Sequence, residues 1–259
     1  MTENHSPILA GYDLSAWERW GARLSLAVPY SENVHWLIVG NSGSGKSYYI
    51  NWLLRNLLRE YQDDVILTFC DFKHSEDFAF MRGYPGYYTG EACADGVDKF
   101  YAEYQRVKAG ELNDGKLRLL FFDEWAGFQI WMTQQDKKRA EQYKAMVLEV
   151  LLMGRSMRCG VTIIMQRNDA AYLQGREQFF VTVAFGKLSP EMKRMIIPGE
   201  EIEQRDIYEP GEGIIRSDRF GTKLLKVPRL RSVPKVRQEI MSYLARATDA
   251  SAAGGGESG

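Results

Sequence analysis

The run Gly40, Asn41, Ser42, Gly43, Ser44, Gly45, Lys46 and Ser47 fits the spacing G-x-x-x-x-G-K-[ST]. Residues of these types in this order make a phosphate cradle. The glycines let the backbone curl until successive N–H groups face a β-phosphate, and the following helix N-terminus adds partial positive charge. Lys46 would reach the β- and γ-phosphates, the Ser47 hydroxyl would ligate Mg²⁺, and Tyr48 follows as the next nucleotide-contacting candidate. A second element, "LRLLFFDEW", ends an apolar run in Asp123 and Glu124. Asp123 can hold Mg²⁺ through water, and Glu124 can orient or deprotonate an attacking water. A kinase for small molecules needs no water-activating glutamate, so the acid pair favours hydrolysis. A third, "GVTIIMQRN", delivers Gln166 from a buried run, where an amide can sense a γ-phosphate or position water. Each motif alone has a bland reading: a glycine turn, two acids ending a strand, a glutamine starting a loop.

The motifs sit on elements with the matching periodicity. Strand-like runs at Val34–Gly40, Val65–Asp71, Leu117–Asp123, Gly160–Gln166 and Phe179–Gly186 alternate with helix-period stretches, the pattern of a parallel sheet covered by helices. The phosphate loop joins the first run to a predicted helix whose Ile50, Leu53, Leu54, Leu57 and Leu58 fall on one face. A second helix carries Tyr143, Met146, Val147, Val150 and Leu151 and stops near Gly154. "EGIIRS" and "TKLLKVPRL", separated by "DRFG", predict a hairpin, followed by a helix from about Pro234 to Ala247.

The 259 residues suffice for a self-supporting α/β core. Lysine and arginine (33) nearly balance aspartate and glutamate (34), so any affinity for nucleic acid must come from a local basic surface or from a ring of copies. Cys70, Cys93 and Cys159 lack a CxxC spacing and His5, His35 and His74 lack a metal-ligand pattern, which makes a reduced cytoplasm the expected location. The N-terminus has no signal-peptide pattern and no apolar run reaches bilayer-spanning length.

From Val34 to about Leu230 the order of motifs resembles the FtsK/SpoIIIE family of DNA-pumping ATPases, within the wider HerA/FtsK group. "VHWLIVGNSGSGKS" resembles the family's P-loop and its strand. "CDFKHSEDFAFMRGYPGYY" is similar to its Asp-Pro-Lys strand, with Asp71 and Lys73 in place and Phe72 for the proline. "LLFFDEWAGF" resembles Asp-Glu-Phe-Ala with Trp125 as the aromatic, and "GRSMRCGVTIIMQRN" the strand ending in Thr-Gln-Arg, with Met165 for the threonine.

The resemblance implies a RecA-like P-loop fold, a mainly parallel sheet in strand order 5-1-4-3-2 flanked by helices and closed by a C-terminal β-hairpin. It also implies ATP and Mg²⁺ as ligands and a ring, usually hexameric, around double-stranded DNA. A ring needs an arginine reaching the neighbour's γ-phosphate. Arg155 is the first candidate, with Arg158 and Arg194 behind it, and each is equally readable as a surface residue. Lys137, Lys138 and Arg139, with Arg167 and Arg176, are candidate DNA contacts in a pore, or else a solvated helix face. The expected organisation is an N-terminal extension over 1–32, an ATPase domain over 33–231, a helix over 232–248 and a disordered tail over 249–259. With some 33 residues before the first predicted strand and about 29 after Leu230, a stripped motor core is expected, of the kind found on plasmids, conjugative elements or phages. Besides DNA translocation, the same site would serve a protein-secretion ATPase, or a nucleotide-binding scaffold that recruits a replication or transfer initiator.

Overall fold

Among the described residues, the apolar runs of the sequence assemble into one ten-stranded sheet. The structure, a computed structural model, describes residues 5–30, 32, 34–166, 172–197, 199 and 208–254, the last seven by backbone only. In chain order the elements are β1 (Ile8–Asp13), α1 (Leu14–Trp20), β2 (Ser25–Val28), β3 (Trp36–Gly40), α2 (Lys46–Tyr61), β4 (Val65–Asp71) and β5 (Tyr87–Thr89). They continue with α3 (Cys93–Lys108), β6 (Leu117–Asp123), α4 (Trp125–Gln135), α5 (Lys137–Met153), β7 (Cys159–Met165) and β8 (Val181–Phe185). The chain closes with α6 (Pro190–Ile196), β9 (Glu212–Ser217), β10 (Gly221–Lys226) and α7 (Val233–Gly254).

The sheet runs β2-β1-β10-β9-β8-β3-β7-β6-β4-β5. From β8 to β5 every pairing is parallel, and from β2 to β8 every pairing is antiparallel. The five predicted strands are β3, β4, β6, β7 and β8, and their spatial order β8-β3-β7-β6-β4 is the expected 5-1-4-3-2. The predicted hairpin is β9 and β10, turning at 218–220. It does more than close the domain, because β10 also pairs with β1 and so brings the N-terminal segment into the sheet. The helix after it continues to Gly254, through the alanines that favour helix most strongly.

Each face of the sheet is sealed by helices. On one, Ile50, Leu53, Leu54, Leu57 and Leu58 of α2 are all buried, together with Val236, Ile240 and Leu244 of α7. On the other, α3, α4 and α5 bury Phe100, Tyr104, Phe128, Tyr143, Val147 and Val150. Strands buried on both faces read as predominantly apolar runs, which is why β4 and β6 were legible without alternation. Central β3 has parallel neighbours on both sides, so the connections diverge at its carboxyl end. A crevice at that place is the usual ligand site of open α/β sheets.

Candidate active site

The phosphate loop leaves β3 at this switch point and enters α2 at Lys46. Gly45 stands at φ 98°, a left-handed value, and a Cβ there would lie 2.8 Å from the Gly211 backbone nitrogen. Only glycine fits this turn without displacing the segment that leads into β9. Two further observations fit the loop to an anion. The Ser44 hydroxyl is buried with no hydrogen-bond partner among the described residues. Lys46 is turned back onto its own loop, donating from Nζ to the carbonyls of Gly40 at 2.5 Å and Asn41 at 2.8 Å. Burial lowers the Lys46 pKa, so its charge is held where a counter-anion would stabilise it.

The acids arrive from the adjacent strands. Parallel register puts Asp71 of β4 beside Asp123 of β6. Asp71 is fully buried and accepts hydrogen bonds from Ser75 N at 2.8 Å and the Tyr87 hydroxyl at 2.9 Å. Burial raises its pKa. Asp123 is pushed up to about 7, first by burial and then by the charges of Asp71 and Glu124. Hard carboxylate and hydroxyl oxygens such as those of Asp123 and Ser47 suit Mg²⁺, which keeps waters and phosphate oxygens for its remaining positions. Glu124 caps α4 in the left-handed region at φ 65°, costly for a residue with a Cβ, while its N–H donates to the Ile164 carbonyl at 3.0 Å. Its carboxylate forms an ion pair with Lys73.

One cavity of about 390 Å³ gathers Ser42, Gly43, Gly45, Lys46, Ser47, Tyr48, Asp123, Glu124 and Gln166. The expected phosphate, metal, water-activating and sensing groups therefore share one space. Lys73, Asp77 and Arg237 line it too. Lys73 was visible only through its place in a family-like strand. Asp77 and Arg237 had no sequence signal, because a loop and the remote α7 bring them in.

The substituted motif positions have local explanations. The Phe72 N–H donates to the Asp123 carbonyl at 3.2 Å, a bond no proline can make, and its ring packs on Phe128 and Trp131. Trp125 is buried and donates from Nε1 to the Tyr172 carbonyl at 2.7 Å. Met165 is wholly buried in β7.

The basic candidates are scattered. Arg155 lies just before β7, at the sheet edge opposite the phosphate loop, exposed on a 3₁₀ turn with its guanidinium 5.2 Å from the Phe180 ring centroid. A seven-residue strand separates the two edges by roughly 20 Å. Arg155 is thus beyond reach of its own cavity. Arg158 stands beside it at φ 53° with Nε buried and unpartnered among the described residues. Arg194 is exposed on α6, which follows β8. Lys137 and Lys138 are exposed at the start of α5, whereas Arg139 is tied to Asp98 at 2.5 Å and stacked on Tyr143. Arg176 is half-buried on a 3₁₀ turn leading into β8, and Arg167 lies outside the described residues.

Together, fold and phosphate-loop geometry define a RecA-like P-loop α/β architecture. The same fold recurs in FtsK/HerA-type ATPases. The pCW3 conjugation coupling protein TcpA, solved in a monomer form with ATPγS, superposes with a TM-score of 0.69 at 16% identity, covering 93% of this chain and 71% of TcpA. EssC (ATPases 2 and 3) from Geobacillus thermodenitrificans gives 0.68 at 13% identity over 96% of this chain, which spans only 49% of that EssC chain. The genome packaging NTPase B204 from Sulfolobus turreted icosahedral virus 2 gives 0.52 at 16% identity over 76% of this chain and 98% of B204. No protein-family model and no curated protein matches the sequence. Among the described residues no helix is long and apolar enough to cross a membrane.

Proposed function

We propose that the chain is an FtsK/HerA-type motor that hydrolyses ATP and uses it to move double-stranded DNA, working as a ring. The observation that carries this reading is the convergence of Lys46, Ser47, Asp123, Glu124 and Gln166 on one cavity. The backbone loop and Lys46 would hold the β- and γ-phosphates, and Ser47 with Asp123 would hold Mg²⁺, which would supply positive charge against the phosphates. Glu124 orients and deprotonates the attacking water once Lys73 releases its carboxylate, and Gln166 reports the γ-phosphate. Arg155 serves the neighbouring subunit's site, since the length of a strand separates it from its own. The DNA substrate is supported by the fold shared with a conjugation coupling protein and a genome packaging NTPase, and by the exposed Lys137 and Lys138.

Steady-state phosphate release with and without linear duplex DNA tests the proposal. Duplex should raise the rate in a salt-sensitive way, and Lys46→Ala or Glu124→Gln should cut turnover by about 10²-fold or more. Turnover that ignores DNA would remove the DNA motor and leave a protein-moving ATPase. ATP binding without turnover by a stable monomer would leave the scaffold.

A further inference from the structure

Arg237 sits one turn into α7 and lines the same cavity as Lys46, Ser47, Asp123 and Glu124. Its position is fixed by contacts along α2, beside which α7 runs in the same direction. The Tyr48 hydroxyl donates to the Pro228 carbonyl at 3.0 Å and accepts from Leu230 N, and Arg55 pairs with Glu239 at 2.6 Å. Leu230 and Val233 join Arg237 in the cavity wall. The start of α7 is therefore part of the candidate nucleotide site.

The guanidinium is held but not satisfied. It lies over Phe80, 5.2 Å from the ring centroid, and Nη2 stands 3.7 Å from Asp77 Oδ1, too far for a hydrogen bond. Nε is buried without a partner among the described residues. Five N–H donors in a rigid fork match phosphate geometry far better than this single long contact. Asp77 is about half exposed, so its attraction for Arg237 is screened. A phosphate in the cavity carries more charge and offers bidentate geometry, which makes transfer of Arg237 from Asp77 to phosphate favourable.

We propose that Arg237 is a phosphate ligand in cis: with nucleotide bound it leaves Asp77 and donates to the terminal phosphate oxygens, so that α7 registers which nucleotide is present. This rests on the reading of the cavity as a nucleotide site. Arg237 and Arg155 then divide the cationic work, one serving its own subunit and the other the neighbour.

The test is calorimetric binding of Mg-ATPγS and Mg-ADP to the full chain. Arg237→Ala should weaken ATPγS by about tenfold or more and ADP by less than about twofold, with Arg237→Lys intermediate because charge survives without the fork. Asp77→Asn removes the competitor and should tighten ATPγS a few-fold, a gain that disappears in the Asp77→Asn, Arg237→Ala double variant. Equal loss for both nucleotides, or no loss, overturns the proposal while leaving the nucleotide site intact. If Arg237→Ala does not fold, Asp77→Asn decides, and an unchanged ATPγS affinity there overturns it. A wild-type chain that binds neither nucleotide overturns the reading of the cavity, and the proposal with it.

Discussion

Asp123 and Glu149 lie at opposite edges of the sheet, and their surroundings push their carboxyls in opposite directions. At the carboxyl edge burial raises both Asp71 and Asp123, and the charges of Asp71 and Glu124 raise Asp123 further against the opposing pull of Lys73 and Lys46. At the amino edge Glu149 is lowered to about 2 by hydrogen bonds from Lys108 and the Tyr101 hydroxyl, and Asp114 is lowered by its bonds to Arg118. The amino edge also buries Arg118 between Glu103 and Asp114. Most of its charges are paired within the chain, although Arg158 there is also left-handed with a buried Nε that has no partner among the described residues. The carboxyl edge combines raised acids, a left-handed Glu124, an unpartnered Ser44 hydroxyl and a lysine bonded to its own loop. Such local inconsistency is expected where an external ligand completes the arrangement.

The comparison predicts that substitutions at the two edges separate activity from stability. Asp123→Asn should lower Mg²⁺-dependent turnover by about a hundredfold or more. The same change removes a charge crowded by Asp71 and Glu124, so the ligand-free chain should gain about 1 kcal/mol. Turnover assays and thermal melts on one preparation check both, and a lower melting temperature would break the contrast between the edges.

Glu149→Ala should do the reverse. Glu149 accepts from Tyr101 at 2.5 Å, Lys108 at 2.7 Å, Gln105 at 3.2 Å and Tyr104 at 3.3 Å, tying α3 to α5. Losing these bonds should cost about 1–2 kcal/mol, since the released partners regain water, and leave turnover per folded molecule unchanged. Because its folded pKa of about 2 lies below the ordinary 4.5, the stability Glu149 contributes is complete above pH 4.5 and is lost as pH falls toward 2. Urea titrations at pH 6, 4 and 3 should show the wild type converging on Glu149→Gln. A constant gap would mean the carboxylate is not the source.

Legibility in the sequence followed the same division. Val65–Asp71 and Leu117–Asp123 were readable to the residue because strands buried on both faces are predominantly apolar, with Thr68 and Arg118 the polar residues inside them before the closing aspartates. The phosphate loop and the Asp123–Glu124 pair were readable because their chemistry demands fixed types at fixed spacing. β1 and β2 were not, because "ILAGYD" and "SLAV" are short, include glycine or alanine, and acquire strand geometry only by pairing beyond the hairpin. β5 spans three residues, below any periodicity. Arg237 was invisible because its role depends on α7 returning to α2 across some 190 residues of sequence. Arg139 was readable as a cation but not as a partner of Asp98, a contact made only when α3 and α5 pack.

That last distinction yields the smallest predicted effect. Lys137 and Lys138 are exposed beside Arg139, which is bound within the chain. If the DNA reading holds, the Lys137→Ala, Lys138→Ala double variant should weaken duplex binding a few-fold and flatten its salt dependence by up to about two counterions per subunit. Arg139→Ala should instead lower stability by about 1 kcal/mol through the lost Asp98 pair and Tyr143 stack, with no flattening of the salt slope. Exposed side chains of this kind typically contribute within about half a kcal/mol to folding, so the double variant should melt with the wild type. Filter binding across a salt series separates these effects. A salt slope that responds to Arg139 and ignores the lysines would mean that DNA opens the α3–α5 contact, and would move the candidate DNA surface from the start of α5 to the groove between the two helices.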